Sequence, residues 1–263
     1  MRVKESLKKG FSVASQGMEV VAGLFVFGFI FSLINVFFTA KLQKTATPSV
    51  RVSIAAVVVG VLFLLASIFV QAGLLGYVRD KIKSGHAGFS NFFDAGRKYY
   101  GKLLLLGLLV GAVVGAFILL AALSVFALGQ KLMPVGIGIA VVLVALGIYI
   151  SLLMFLAPYD LVAGDQKVID AVKHSIAMVR KNIVAVLGLS LVLILIGFGA
   201  GIVLGLGLGI LTIAVKGMAA QAIFAFFSSA VNAFLGLFVA GSFMTFYFGV
   251  SNNNANTSGA NSA

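Results

Sequence analysis

Residues 169–195 read IDAVKHSIAMVRKNIVAVLGLSLVLIL, in which an acid opens a short basic amphipathic segment and a long apolar run follows at once. Residues 94–114, DAGRKYYGKLLLLGLLVGAVV, repeat this plan, and residues 5–30, ESLKKGFSVASQGMEVVAGLFVFGFI, repeat it more loosely. These stretches predict three copies of one unit, made of a cytoplasmic amphipathic helix, a span and a returning second span. We therefore predict an all-α, polytopic membrane protein with six transmembrane helices.

The composition indicates that lipid is the solvent of this chain. Of its 263 residues, 61% are hydrophobic and 10% are charged, and the mean hydropathy is +1.16. A soluble domain carries about 25% charged residues. The apolar runs are long enough to cross a hydrocarbon core about 30 Å thick. The chain has no cysteine, which excludes disulfides and thiolate chemistry.

Six apolar runs predict the spans, at residues 18–38, 52–78, 103–128, 135–156, 183–215 and 218–250. The last two runs are long enough to supply three shorter spans, which is a seven-span alternative. Six spans are preferred because the other copies of the unit have two each. The predicted membrane domain covers residues 1–250, with repeats at about 1–80, 81–157 and 158–250, and the polar tail 251–263 is predicted to be disordered.

The basic residues are divided unequally between the two sides of the predicted membrane. Fourteen of the 19 Lys and Arg residues fall on the side that holds both termini, and five fall on the other. The positive-inside rule therefore predicts cytoplasmic N- and C-termini. The net charge of +12 does not predict a nucleic-acid partner, because the cations bracket apolar runs and form no continuous stripe.

The basic segments predict a cytoplasmic surface for anionic lipid headgroups or for a protein partner. An acid in the first turn and cations in later turns also interact favourably with the helix dipole. A purely structural role in stabilising interfacial helices therefore explains the same pattern. The residues assigned to this surface are Lys8, Lys9, Arg97, Lys98, Lys173, Arg180 and Lys181.

Five polar residues lie within or near the apolar runs: Glu19, Asn35, Gln71, Gln221 and Asn232. Polar groups in a bilayer need partners, which makes them candidates for an ion site, for hydrogen bonds between helices or for a solute pathway. For the amides, helix packing is the predicted role. Glu19 lies about one turn past the first basic segment, where contact with lipid headgroups, Lys9 or another interfacial cation is expected.

Glycines at every fourth position predict close packing of helix backbones. They form one ladder and one pair, at Gly197, Gly201, Gly205 and Gly209 and at Gly111 and Gly115.

Residues suited to catalysis or metal binding are few. Asp160 and Asp165 are five positions apart, but no further acid follows before Asp170. His86 and His174 have no triad partners in the sequence, and we predict that both are surface residues. No catalytic residue, metal ligand or cofactor is therefore assigned.

Short motifs precede the fifth predicted span: Pro158, Asp165, VIDA at 168–171 with Ser175, and RKN at 180–182. Together with FFDAGRKYYGKLLLLGLL at 92–109, they resemble a family of six-span bacterial and archaeal membrane proteins. This family includes the membrane domain attached to some glycerophosphodiester phosphodiesterases. The resemblance covers essentially the whole chain and implies a prokaryotic plasma membrane. The sequence holds no counterpart of the phosphodiesterase catalytic domain, so the resemblance implies topology and not activity.

These features lead us to expect a non-enzymatic membrane module that organises lipids or recruits a protein partner. A transporter or channel for a small solute is the alternative, although no predicted span carries paired charges. A membrane enzyme acting on lipid headgroups is the least favoured class, because no nucleophile, base or metal set is recognisable. The ligand and the oligomeric state are not predicted.

Overall fold

The computed structural model describes residues 3–43, 50–127, 132–215 and 218–260, and the regular structure within these ranges is entirely helical. The helices are α1 (Val3–Gln16), α2 (Met18–Gln43), α3 (Val50–Ser84), α4 (Phe89–Ala127), α5 (Met133–Met154), α6 (Ala157–Ala163), α7 (Val168–Lys181), α8 (Ile183–Ala214) and α9 (Met218–Ala260). The predicted turns at 41–51, 129–134 and 216–217 lie partly or wholly outside the described residues.

Six segments are long and apolar enough to cross a membrane: Met18–Phe37, Ile54–Ser84, Phe89–Ala127, Met133–Ala163, Ile183–Gly209 and Ala219–Ser251. The all-α fold with six candidate spans is thereby confirmed. Two helices, α8 and α9, occupy the region for which the seven-span alternative requires three. The arrangement as three repeats stays a prediction.

The chain forms two compact units. The first unit contains Met1–Tyr99 and Ala185–Ala263, and the second contains Tyr100–Val184. Helix α9 is central to the first unit, since α1, α2 and α3 all pack against it. Its middle turns supply much of the core, including the buried side chains of Leu237, Met244 and Phe246.

The helix that precedes the span differs among the three predicted copies of the unit. Gly17 separates α1 from α2, and Asn182 separates α7 from α8, each twelve positions after the acid that opens its copy. The corresponding residue of the middle copy is Leu106, a good helix former. The middle copy accordingly has no separate surface helix, because its basic segment belongs to the continuous helix α4.

The polar tail continues the last helix. Helix α9 extends through Ser251 to Ala260, and the predicted disorder of residues 251–263 stays a prediction. Extending an existing helix adds one hydrogen bond for each residue that is fixed and incurs no new nucleation cost. No proline interrupts this extension.

Pro158 lies at the break between two helices within the fourth candidate span. Helix α5 ends at Met154, and Pro158 lies in the first turn of α6, where a missing N–H group costs nothing. Helix α6 is short and mostly buried, and it packs against α7. Helix α7 also packs against α5, so the three helices form the core of the second unit.

Candidate functional site

All seven cations assigned to the basic surface are exposed. The first unit carries four of them and the second unit carries three. In the order of the chain they are Lys8, Lys9, Arg97 and Lys98, followed by Lys173, Arg180 and Lys181.

Helix α1 turns a face of small residues towards α9. Ser6, Gly10 and Ala14 are buried on this face. A Cβ atom on Gly10 would overlap the Ser242 hydroxyl and would lie 2.9 Å from the Phe238 carbonyl oxygen. Because the small face is packed, the basic face of α1 remains exposed.

Glu19 does not make the predicted contact with Lys9. The Lys9 Nζ atom lies 3.9 Å from Glu5 Oε1, one turn away on the same helix. Glu19 is exposed in the first turn of α2, where the helix dipole favours a negative charge. The expected contact of Glu19 with lipid headgroups stays a prediction.

Helix α7 is amphipathic in the same manner as α1. Its buried face includes Ala171, Ser175 and Met178, whereas its basic residues are exposed. The Ser175 hydroxyl donates a hydrogen bond of 2.8 Å to the Leu153 carbonyl in the last turn of α5. The carbonyl groups of a last turn lack partners within their own helix, so Ser175 joins α7 to the end of α5.

Replacing Ser175 with Ala should lower the free energy of unfolding by about 1–3 kcal/mol, because a buried acceptor loses its donor. Reversible denaturation in detergent micelles measures this change. Ser151→Ala is the matched control, since the Ser151 hydroxyl donates to Gly147 of its own helix. Equal stabilities for the two variants would contradict the assigned role of Ser175.

His174 has a carboxylate partner that sequence spacing did not reveal. Its Nδ1 atom lies 3.3 Å from Oδ2 of Asp160, whose side chain is only 1% exposed, while the His174 side chain is 56% exposed. This single contact completes no triad, and the His174 ring lies at the surface as predicted. The folding of α6 against α7 brings together two residues that are fourteen positions apart.

Asp165 belongs to a different ion pair. Its Oδ1 atom accepts a hydrogen bond of 2.8 Å from the Lys102 ammonium group, within the second unit. Asp165 has a positive φ angle of 50°, at the turn between α6 and α7. The two loop acids thus contact different cationic or imidazole side chains, and neither contact indicates a shared catalytic centre.

A polar network links α3 to the start of α4 in the first unit. Arg79 donates from Nε to Asp80 Oδ1 over 2.7 Å and from Nη1 to the Tyr99 hydroxyl over 2.5 Å. Asn91 donates from Nδ2 to the second oxygen of Asp80 over 3.4 Å. These bonds satisfy a half-buried charge pair, which explains why Arg79 is less exposed than the seven surface cations.

Two of the five intramembrane polar candidates come together. Asn35 of α2 and Gln221 of α9 line one cavity of about 380 Å³, together with Ser32 and Ser228. Beside it, the hydroxyl oxygens of Ser32 and Ser229 lie 3.4 Å apart.

The other amide candidates are placed differently. All four amides are exposed, but Gln71 and Asn232 do not line the cavity that contains Asn35 and Gln221. The five candidates therefore do not form a single intramembrane site.

The glycine ladder lies open within the described chain. No described atom lies within 4 Å of a Cβ built on Gly197, Gly201, Gly205 or Gly209, and the same holds for Gly111 and Gly115. The predicted packing role is therefore wrong among the described residues. Close approaches occur at Gly10, Gly73 and Gly76 instead.

Within the described ranges, no group of three or more His, Cys, Asp or Glu side chains could hold a metal ion. The candidate features are thus exposed cations on two amphipathic helices and on α4, one Asp–His pair, and one uncharged polar cavity.

The family described as Domain of unknown function (DUF7847) matches the chain over residues 1–249. The chain belongs to the DUF7847 family. The match extends from α1 into the last candidate span, so it includes the seven surface cations, the Asp160–His174 pair and the cavity. No curated protein and no solved structure matches the chain. The family match does not extend to the membrane domains of glycerophosphodiester phosphodiesterases, and that resemblance stays a prediction.

Proposed function

We propose that this protein is a non-enzymatic, multi-pass membrane module that binds anionic lipid headgroups and thereby organises lipids around itself. The observation that carries the proposal is the exposure of all seven assigned cations at or near the ends of long apolar helices. Cations placed there attract anionic headgroups, at about 1 kcal/mol for each Lys or Arg near the surface.

The packing of α1 and α7 supports a role for their basic faces. Each helix uses small or apolar residues to pack against its own unit and leaves its cations exposed. An amphipathic helix of this kind is stable at the boundary between headgroups and acyl chains. Recruitment of a protein partner by the same cations is the alternative within this class.

The proposed location is the plasma membrane of a prokaryote, with both termini in the cytoplasm. The contact between Gly10 of α1 and Ser242 of α9 supports this orientation, because it brings segments near the two ends of the chain to the same end of the first unit. The excess of Lys and Arg on the side of the termini supports a cytoplasmic assignment for that end.

A transporter or channel for a small solute is the alternative function. Its strongest support would be amides that converge at mid-depth, but Asn35 and Gln221 lie near the ends of their candidate spans. An enzyme acting on lipid headgroups is less favoured, because Asp160 and Asp165 do not share a site.

The test compares two variants of equal charge by native mass spectrometry from mild detergent. The first replaces Arg97, Lys98, Lys173 and Arg180 with Gln, and the second replaces Lys41, Lys44, Arg51 and Lys131, which the sequence places on the opposite side. We expect the first variant to retain anionic phospholipid at least about tenfold more weakly than the wild type, since four headgroup contacts are lost.

The second variant should retain anionic lipid as the wild type does, because its substitutions leave the proposed surface intact. Equal losses in both variants would show that only net charge matters, and no loss in either would remove the headgroup proposal. A stoichiometric protein in place of lipid would favour the recruiting alternative.

A further inference from the structure

The cavity between α2 and α9 is built for an uncharged hydrogen-bonding group. Asn35, Gln221, Ser32 and Ser228 line it, and the side-chain amides of Asn35 and Gln221 make no hydrogen bond within the described residues. Both amide side chains are exposed, so they are available to form hydrogen bonds with the hydroxyl or amide groups of a ligand.

The described residues that line this cavity offer no partner to a charged ligand. None of the described residues that line it is ionisable. A phosphate or carboxylate group would need Arg, Lys or several aligned N–H donors, and a hard cation would need carboxylate oxygens. The remaining ligand chemistry is neutral and polar.

Two apolar cavities continue from the polar one along α2. Phe31 lines both the polar cavity and an apolar cavity of about 290 Å³ between α2 and α3. Phe27 and Ala66 line that cavity and a further one of about 340 Å³, which reaches Gly23. The three cavities are therefore neighbours in a row, with polar side chains at one end only.

The length of this row matches one leaflet of a bilayer. Asn35 lies in the last turn of the first candidate span, and Gly23 lies twelve residues deeper in the same helix. At 1.5 Å per residue this is about 18 Å, slightly more than half of a hydrocarbon core about 30 Å thick. A lipid acyl chain is apolar and about this long. The headgroup of such a lipid would lie at the bilayer boundary beside Asn35 and Gln221.

We propose that α2, α3 and α9 form a binding site for one lipid with an uncharged, hydroxyl-bearing headgroup. Asn35 and Gln221 hold the headgroup, and the apolar cavities beyond Phe31 hold an acyl chain. The site lies at the end of the first unit remote from α1, and it does not depend on the basic surface. Its proposed specificity is opposite to that of the proposed anionic-lipid surface, because none of the described residues that line the cavity carries a charge.

The experiment titrates purified protein with monogalactosyl diacylglycerol and follows the bound lipid by native mass spectrometry. Asn35→Leu with Gln221→Leu removes the headgroup contacts, and Ala66→Phe fills the apolar cavities while leaving the amides in place. Each variant should bind this lipid at least about tenfold more weakly than the wild type, because hydrogen bonds or acyl-chain burial are lost. Asn232→Leu is the matched control, since Asn232 is an exposed amide of α9 outside the cavity.

Three results would overturn the proposal. The first is equal binding of the galactolipid by the wild type and by both cavity variants. The second is equally tight binding of phosphatidylglycerol with the same acyl chains at this site, because the proposal assigns the headgroup to uncharged side chains. The third is binding of galactosylglycerol, which has no acyl chains, with the same affinity as the lipid and without an effect of Ala66→Phe. That result would assign the polar cavity to a free solute.

Discussion

Replacing Gly10 with Ala should release α1 from α9 and lower the free energy of unfolding by about 1–3 kcal/mol, the usual cost of overpacking. The new Cβ atom would lie 2.7 Å from the Ser242 amide nitrogen and 2.9 Å from the Phe238 carbonyl oxygen. Both atoms belong to the backbone of α9, so no side-chain rotation removes the clash. The two helices must therefore move apart. This cost outweighs the higher helix propensity of Ala, which favours Ala over Gly by about 1 kcal/mol.

The absence of native cysteine allows a direct measurement of this release. Val13 is buried on the same face of α1, so a Val13→Cys background should react slowly with a thiol reagent while α1 is docked. Gly10→Ala should accelerate labelling, and Gly236→Ala should not, because no described atom lies near a Cβ at Gly236. Equal labelling rates would show that α1 is not held by this contact.

Gly76→Ala should be destabilising by a similar amount, about 1–3 kcal/mol, but a second substitution should reverse it. A Cβ on Gly76 would overlap the Cβ of Ala95, whereas the next nearest atom, the Ala95 Cα, would be 3.4 Å away. This clash is therefore between two side-chain atoms. Removing the Ala95 Cβ removes it, and the contact between α3 and α4 becomes ordinary again.

The double variant Gly76→Ala with Ala95→Gly should recover most of the wild-type stability in reversible denaturation. The corresponding pair Gly10→Ala with Ser242→Gly should recover little, because the backbone atoms of α9 remain in place. The two cycles are matched controls for each other. Rescue of both pairs, or of neither, would contradict the distinction between a backbone clash and a side-chain clash.

The six spans could be predicted because the length and apolarity of a span depend on the bilayer and not on its neighbours. Length and apolarity do not predict which face of α1 is buried. Phe11 is exposed, whereas the small residues Ser6, Gly10 and Ala14 are packed. The spacing of these three small residues could have predicted the buried face, because small residues recur every four positions in packed membrane helices.

The same signal failed at the ladder from Gly197 to Gly209. Its spacing is as regular as that in α1, but no described neighbour approaches it. A repeat of small residues permits close packing and does not say whether a partner helix is there. The pairing of His174 with Asp160 was missed for a related reason, because it depends on how α6 folds back on α7.

The candidate cavity could be predicted only in part. Asn35 and Gln221 attracted notice as amides in apolar runs, but so did Gln71 and Asn232, which lie elsewhere. The antiparallel packing of α2 on α9 selects the pair, because it places the end of one span beside the start of the other. Local sequence contains no information about that pairing.

The docking of α1 on α9 also imposes an order on biosynthesis. Helix α1 leaves the ribosome long before its partner residues Gly241 and Ser242 are translated. The small-residue face of α1 must therefore wait, undocked, while the intervening spans are inserted. We expect a nascent chain arrested before Gly241 to keep this face of α1 exposed. Docking of α1 on α9 would then report that translation has passed Ser242.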